Sequence, residues 1–138
     1  DRWIAFTVEE EPLKARVYIA PFRMEDLADE AGIETTQWMP VTDGQRWDGM
    51  ARWSPNGNFL YFVSDRGGSR GIWAQRLEPS SKKPIGEPRL IRHFEETRLS
   101  LSGVSPGSLR INVAQDKIVF TLREMTGDIW LVDLTNWD

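Results

Sequence analysis

The chain has 138 residues, 40% of them hydrophobic and 28% charged, which is room for one domain with a real core; no segment approaches the run of about 18 apolar residues that a membrane span requires. A net charge of -4 without any cluster of Lys and Arg removes the electrostatic footprint of a nucleic-acid or anionic-membrane binder. The absence of cysteine excludes disulfide frameworks, thiol nucleophiles and Cys-based metal sites, and suits cytoplasm and periplasm alike.

Seven Trp call for a repeated packing role, and self-similarity is visible along the chain. Trp3-Ile4-Ala5-Phe6, Phe59-Leu60-Tyr61-Phe62 and Lys117-Ile118-Val119-Phe120 align as three short strands, their final Phe residues 56 and then 58 positions apart. Val17 to Ala20, Ile72 to Gln75 and Ile129 to Val132 follow them as second matches, with the aromatic 12, 11 and 10 residues beyond its Phe. These runs are short, rich in β-branched and aromatic residues and bounded by turn formers, so they predict strands.

The first unit continues to Gln37–Val41. Its acidic stretches Glu9-Glu10-Glu11, Glu25-Asp26 and Asp29-Glu30 read as solvated loops in preference to general acid/base pairs. Met24 to Ala31 is either a helical turn or an excursion between strands. The middle unit opens with Met50 to Trp53 and turns at Ser54-Pro55-Asn56-Gly57, where Pro sets φ, Asn tolerates the third position and Gly takes positive φ. Phe59 to Ser64 returns, the glycine-rich loop 65–71 leads into Ile72 to Leu77, and Pro84 to Pro88 carry the chain to a fourth strand, Arg89 to Phe94. The third unit opens with Arg110 to Ala114 and ends at Leu134.

The expected fold is therefore all-β: a β-propeller fragment of about two and a half four-stranded antiparallel blades, truncated over residues 1–45, complete over 46–95 and truncated over 96–138. The chain begins at Asp1, without Met or a leader, which reads as a fragment of a larger protein. Propellers escape the edge-strand hazard by closing their ring, so the cut ends predict strands contributed by the parent chain or edge-to-edge assembly of copies.

The stretch from Trp53 to Arg66, with Ile72-Trp73, resembles the WD40-like repeat of TolB-type bacterial propellers: an aromatic-Ser-Pro-Asp-Gly turn, an apolar strand, a Ser-Asp-Arg loop and an Ile-Trp strand. Asn56 stands where that repeat has Asp. The third unit keeps Gly127-Asp128-Ile129-Trp130 but has Ala114-Gln115-Asp116 at its turn, and the first unit keeps only the strands.

Candidate chemistry is sparse. Gly67-Gly68-Ser69-Arg70-Gly71 matches the G-x-S-x-G nucleophile elbow, but an elbow needs a helix after it and a strand follows here; the only His, His93, is expected at the end of the fourth strand beside Phe94, away from the serine. One His without Cys cannot build the usual zinc site. Asp65, Asp116 and Asp128 lack the dense spacing of a calcium loop and read as turn residues. Trp73, Trp130 and Tyr18 occupy equivalent third-strand positions and read as packing between blades, whereas Trp38, Trp47 and Trp137 fall off the repeat and are better binding candidates.

No cofactor and no catalytic site are expected. The loops at one end would present Asp43, Arg46, Trp47 and Asp48 from the blade connection, Asp65, Arg66 and Arg70 from the glycine-rich loop, and Arg123 and Glu124 from another. Arg and Trp are favoured anchors of protein contacts, so the sequence predicts a non-catalytic module for protein or peptide interaction or sensing within a larger bacterial protein. The resemblance also admits an accessory propeller of a prolyl-oligopeptidase-type hydrolase, or a TolB-like periplasmic scaffold.

Overall fold

The computed structural model describes residues 2–24, 32–94, 99–100 and 111–124. Among the described residues it is all-β, with eleven strands. β1 (Arg2–Glu11) and β2 (Lys14–Phe22) form a hairpin whose free side on β2 takes the short β3 (Met39–Pro40). β4 (Asp48–Trp53), β5 (Phe59–Ser64), β6 (Gly71–Leu77) and β7 (Pro84–His93) follow as a four-stranded antiparallel meander in chain order. Two two-stranded pairs complete the described structure: β9 (Ile111–Val113) with β10 (Ile118–Phe120), and β8 (Leu99–Ser100) with β11 (Arg123–Glu124).

The meander is the sheet expected from the middle unit, and its first turn works as the sequence implies. Phe59 N–H donates to Ser54 Oγ (2.9 Å), Ser54 Oγ donates to Asn56 Oδ1 (2.8 Å), and Asn58 N–H donates to the same oxygen (3.1 Å). Gly57, with its amide on the Ser54 carbonyl (2.9 Å), takes φ +68°, the left-handed region that glycine enters without a Cβ penalty. The side-chain oxygens of Ser54 and Asn56 thus take amides that the ladder leaves free.

Several boundaries differ from expectation: β4 starts at Asp48, two residues before Met50, and β3 is only Met39–Pro40 within the expected Gln37–Val41. The acidic run Glu9-Glu10-Glu11 is no loop: it finishes β1, where cross-strand partners hold it. Tyr18 donates to Glu10 (2.6 Å), Arg16 pairs with Glu10 (3.3 Å), and Lys14 pairs with Glu11 (2.8 Å) across the turn. Nor do residues 84–88 only lead to the fourth strand expected at Arg89 to Phe94. They are the first half of β7, and the prolines fit there because β7 is an edge strand with no neighbour beyond it among the described residues.

β7 keeps its pairing by two irregularities against β6, one between Ile72 and Trp73 and one between Ala74 and Arg76. Gln75 supports the second. Its side chain is buried, and its Nε2 lies 2.9, 3.1 and 3.1 Å from the carbonyls of Arg76, Ile85 and Gly86, satisfying backbone oxygens that the bulge takes out of the ladder.

Alternation along β5 places the core. Leu60 and Phe62 point one way, joining Leu77 and Ala51 against Val17, Ile19 and Val41 of the first sheet. Val63 points the other way and meets Ile72 and Ile111, with Val113, Ile118 and Phe120 of the β9–β10 hairpin around them. The meander is thus covered on both faces, and Arg52 Nε ties it to β9 through the Ile111 carbonyl (3.1 Å). The strands of the third unit expected beyond residue 124, with Asp128, Trp130 and Trp137, lie outside the described residues, as does most of the 24–31 segment.

Among the described residues Phe62 is the largest fully buried side chain. Phe62→Ala is expected to lower unfolding free energy by about 3–5 kcal/mol, seen as a lower urea midpoint with an unchanged slope.

Candidate functional site

The site lies at one end of the meander, where the segment entering β4, the β5–β6 loop and the end of β7 come together. Its base is an ion pair. Arg66 Nη2 donates to Asp48 Oδ2 at 2.8 Å, with the Asp48 side chain 0% and the Arg66 side chain 15% exposed. Arg66 also donates from Nε and from its backbone amide to Ser64 Oγ (3.0 and 3.2 Å). Its guanidinium carbon stands 5.4 Å from the ring centroids of both Phe62 and Trp73, a cation–π arrangement made stronger by the loss of water.

Two of the expected surface residues are therefore internal. Asp48 opens β4 opposite Ser64 and faces inward, and Arg66 folds back over the aromatic rings to reach it. Burial pushes the Asp48 carboxyl above the ordinary carboxylate range, opposed by the neighbouring Ser64 hydroxyl, the Arg66 guanidinium and the Thr42 hydroxyl; among the described residues Oδ1 has no hydrogen-bond partner.

Next to Asp48 in the chain is Trp47, packed against the smaller cluster around Val63 and Ile72. Its backbone amide donates to Asp65 Oδ1 (3.2 Å), and Arg70 lies over its half-buried ring with the guanidinium carbon 4.4 Å from the centroid. Asp65 also starts the turn, its carbonyl accepting from the Gly68 amide (2.9 Å). Asp43 and Arg46 are exposed on the same connection. Asp43 Oδ1 accepts from the Gln45 amide (3.0 Å), and its carbonyl accepts from Arg16 Nη2 (3.0 Å); the Arg46 carbonyl accepts from the Ala15 amide (3.2 Å). The connection is thus pinned to β2 and to the β5–β6 loop at once.

Arg123 and Glu124, expected in a loop, form β11 opposite Ser100 and Leu99. Trp38 is packed: it meets Phe6 edge-on at 4.9 Å and Tyr18 at 5.8 Å, and donates from Nε1 to the Ile33 carbonyl (3.3 Å). Among the described residues no three His, Asp or Glu side chains gather as a metal site would need.

One expectation is overturned. His93 is not remote from Ser69, because β7 pairs with β6 so that His93 stands opposite Gly71. His93 Nε2 is 2.8 Å from Ser69 Oγ and 3.2 Å from the Ser69 carbonyl. The two glycines flanking the serine make the room. A Cβ on Gly67 would meet His93 Nε2 at 3.2 Å, and one on Gly71 would meet the Arg92 carbonyl at 2.8 Å and His93 Cδ2 at 3.2 Å. The G-x-S-x-G spacing was the available signal; the fourth-strand register that brings His93 to it was not.

Comparison with protein-family models, with characterised proteins and with solved structures finds no match.

The buried pair yields a test with a defined sign. Because folding raises the Asp48 pKa from its ordinary 3.8, the folded chain binds this proton more tightly than the unfolded one. Its contribution to stability therefore falls as pH rises through the interval above that value, and acidification restores it. Arg66→Met removes one opposing charge and widens the interval. The variant is expected to lose about 3–5 kcal/mol near pH 7 and to recover part of that loss near pH 5. Adding Asp48→Asn should return most of it, with stability read by urea unfolding at each pH.

Proposed function

We propose that this chain is an interaction module, built of propeller-type blades, that binds a protein or peptide at the loop end of the four-stranded sheet. One observation carries the reading: Arg70 lies stacked on Trp47 at 4.4 Å, with the Trp47 amide held by Asp65, and Trp47 and Asp65 are each next in the chain to a member of the buried ion pair, Asp48 and Arg66. Arg and Trp are the side chains over-represented among residues that dominate binding energy, and they act best when their conformations are fixed before binding. Exposed Asp43 and Arg46 beside them supply the mixed-charge rim of such a site.

Two further features support the blade reading. The meander runs antiparallel in chain order, as blade strands do. The same cross-strand pairing occurs in both larger sheets, Phe6 opposite Tyr18 and Phe62 opposite Trp73. On this reading the exposed edges of β1 and β7 meet the remaining blades of a parent chain or another copy.

Arg66 is not part of the binding surface in this proposal, since its guanidinium is committed to Asp48. Peptides selected from a displayed library on the intact chain are expected to lose affinity about tenfold or more with Trp47→Ala and with Arg70→Ala. Arg89→Ala, on the exposed edge strand, should leave their affinity unchanged. Selection only of peptides insensitive to both loop-end substitutions overturns the proposal.

A further inference from the structure

We propose that Ser69 is a nucleophilic serine, activated by His93, which forms a covalent bond with activated acyl or phosphonyl electrophiles. The inference stands apart from the peptide reading above, since it concerns bond formation and neither Trp47 nor Arg70 takes part. Three observations carry it. The hydroxyl and the imidazole are at hydrogen-bond distance, 2.8 Å, within the reach that an activated nucleophile and its base require. They are brought together by tertiary structure across 24 residues of sequence, so the contact is not an accident of neighbouring positions. Finally, approach is open on the side that precedes the serine: a Cβ on Gly68 would have nothing within 4 Å, Gly67 and Gly68 are exposed, and on the other side the Arg70 guanidinium is turned onto Trp47.

The imidazole has two ways of meeting the loop. With its proton on Nε2 it donates to the Ser69 carbonyl or hydroxyl oxygen; with the proton on Nδ1, Nε2 accepts from the serine hydroxyl. The second arrangement is the reactive one. As Ser69 Oγ attacks a fluorophosphonate, the Oγ–P bond forms and the P–F bond breaks. Fluoride leaves with the bonding pair, and the hydroxyl proton passes to His93 Nε2, leaving an imidazolium beside a phosphonate ester. No oxidant, reductant or further reactant enters.

The surroundings set the class of electrophile. Ser69 lies between two strands, not on the strand–helix elbow that aims amides at an oxyanion in α/β-hydrolases, so the chemistry is restricted to substrates that carry a good leaving group. That predicts reaction with activated esters and phosphonyl fluorides and none with peptide bonds.

The test is labelling of the intact chain with a tagged fluorophosphonate, followed by peptide mapping. Ser80 is the internal standard, an exposed turn serine whose amide is held by Glu78 at 2.9 Å. Native chain is expected to label at Ser69 at least about a hundredfold faster than at Ser80, and urea-unfolded chain to label the two alike. Ser69→Ala should abolish the fast adduct and His93→Gln slow it about a hundredfold. Equal labelling of Ser69 and Ser80 in the native chain, or a Ser69 rate that His93→Gln leaves unchanged, overturns the proposal. Because the first comparison is made within one folded molecule, it decides the matter even where a variant does not fold.

Discussion

The ion pair between Asp48 and Arg66 is the constraint on which the loop end of the four-stranded sheet depends. A carboxylate with no exposed surface is costly to bury unless a cation meets it, and Arg66 can meet it only by turning back from the β5–β6 loop across Phe62 and Trp73. That single requirement fixes the start of β4, the first turn of the loop and the outer surface of the main core together. Trp47 precedes Asp48, Asp65 precedes Arg66, and the hydrogen bond between those two preceding residues follows from the pair. The strength of the arrangement rests on geometry, since the same two charges placed in water would contribute little.

The meander behaves as a wall with two useful faces. Even-numbered residues of β5 build the larger core with the first sheet, and odd-numbered Val63 builds the smaller one with the β9–β10 hairpin. Such a strand, buried on both sides, positions its end loops with little freedom. Two side-chain contacts are held in this way at the loop end, Arg70 on Trp47 and Ser69 against His93.

Much of the meander was legible in the sequence because its information is local. Apolar runs of strand length, the Ser54-Pro55-Asn56-Gly57 turn and the glycines of the next loop each act within a few residues. The long hairpin was only half legible: Glu9, Glu10 and Glu11 look like a solvated run until their cross-strand partners Lys14, Arg16 and Tyr18 are in place. The site was less legible still. Asp48 and Arg66 are 18 residues apart and His93 is 24 from Ser69, and nothing in their spacing says which face or which strand partner each will have. For His93 a simple count fails for a physical reason, since two irregularities in β7 break the period of two on which such counts rest.

Those irregularities have a consequence for how the chain can change over evolutionary time. A residue gained or lost in a regular strand turns every following side chain to the opposite face. In β7 the stretch opposite Gln75 already carries extra residues, and the Gln75 amide gathers carbonyls there without needing them in ladder register. Insertions or deletions near Gly86 can be absorbed at that point, leaving Arg89 to His93 in step with β6. The strand thus has two points at which extra length is already accommodated, near Gly86 and at Ile91, and the pairing of Arg92 and His93 with Ile72 and Gly71 lies beyond both.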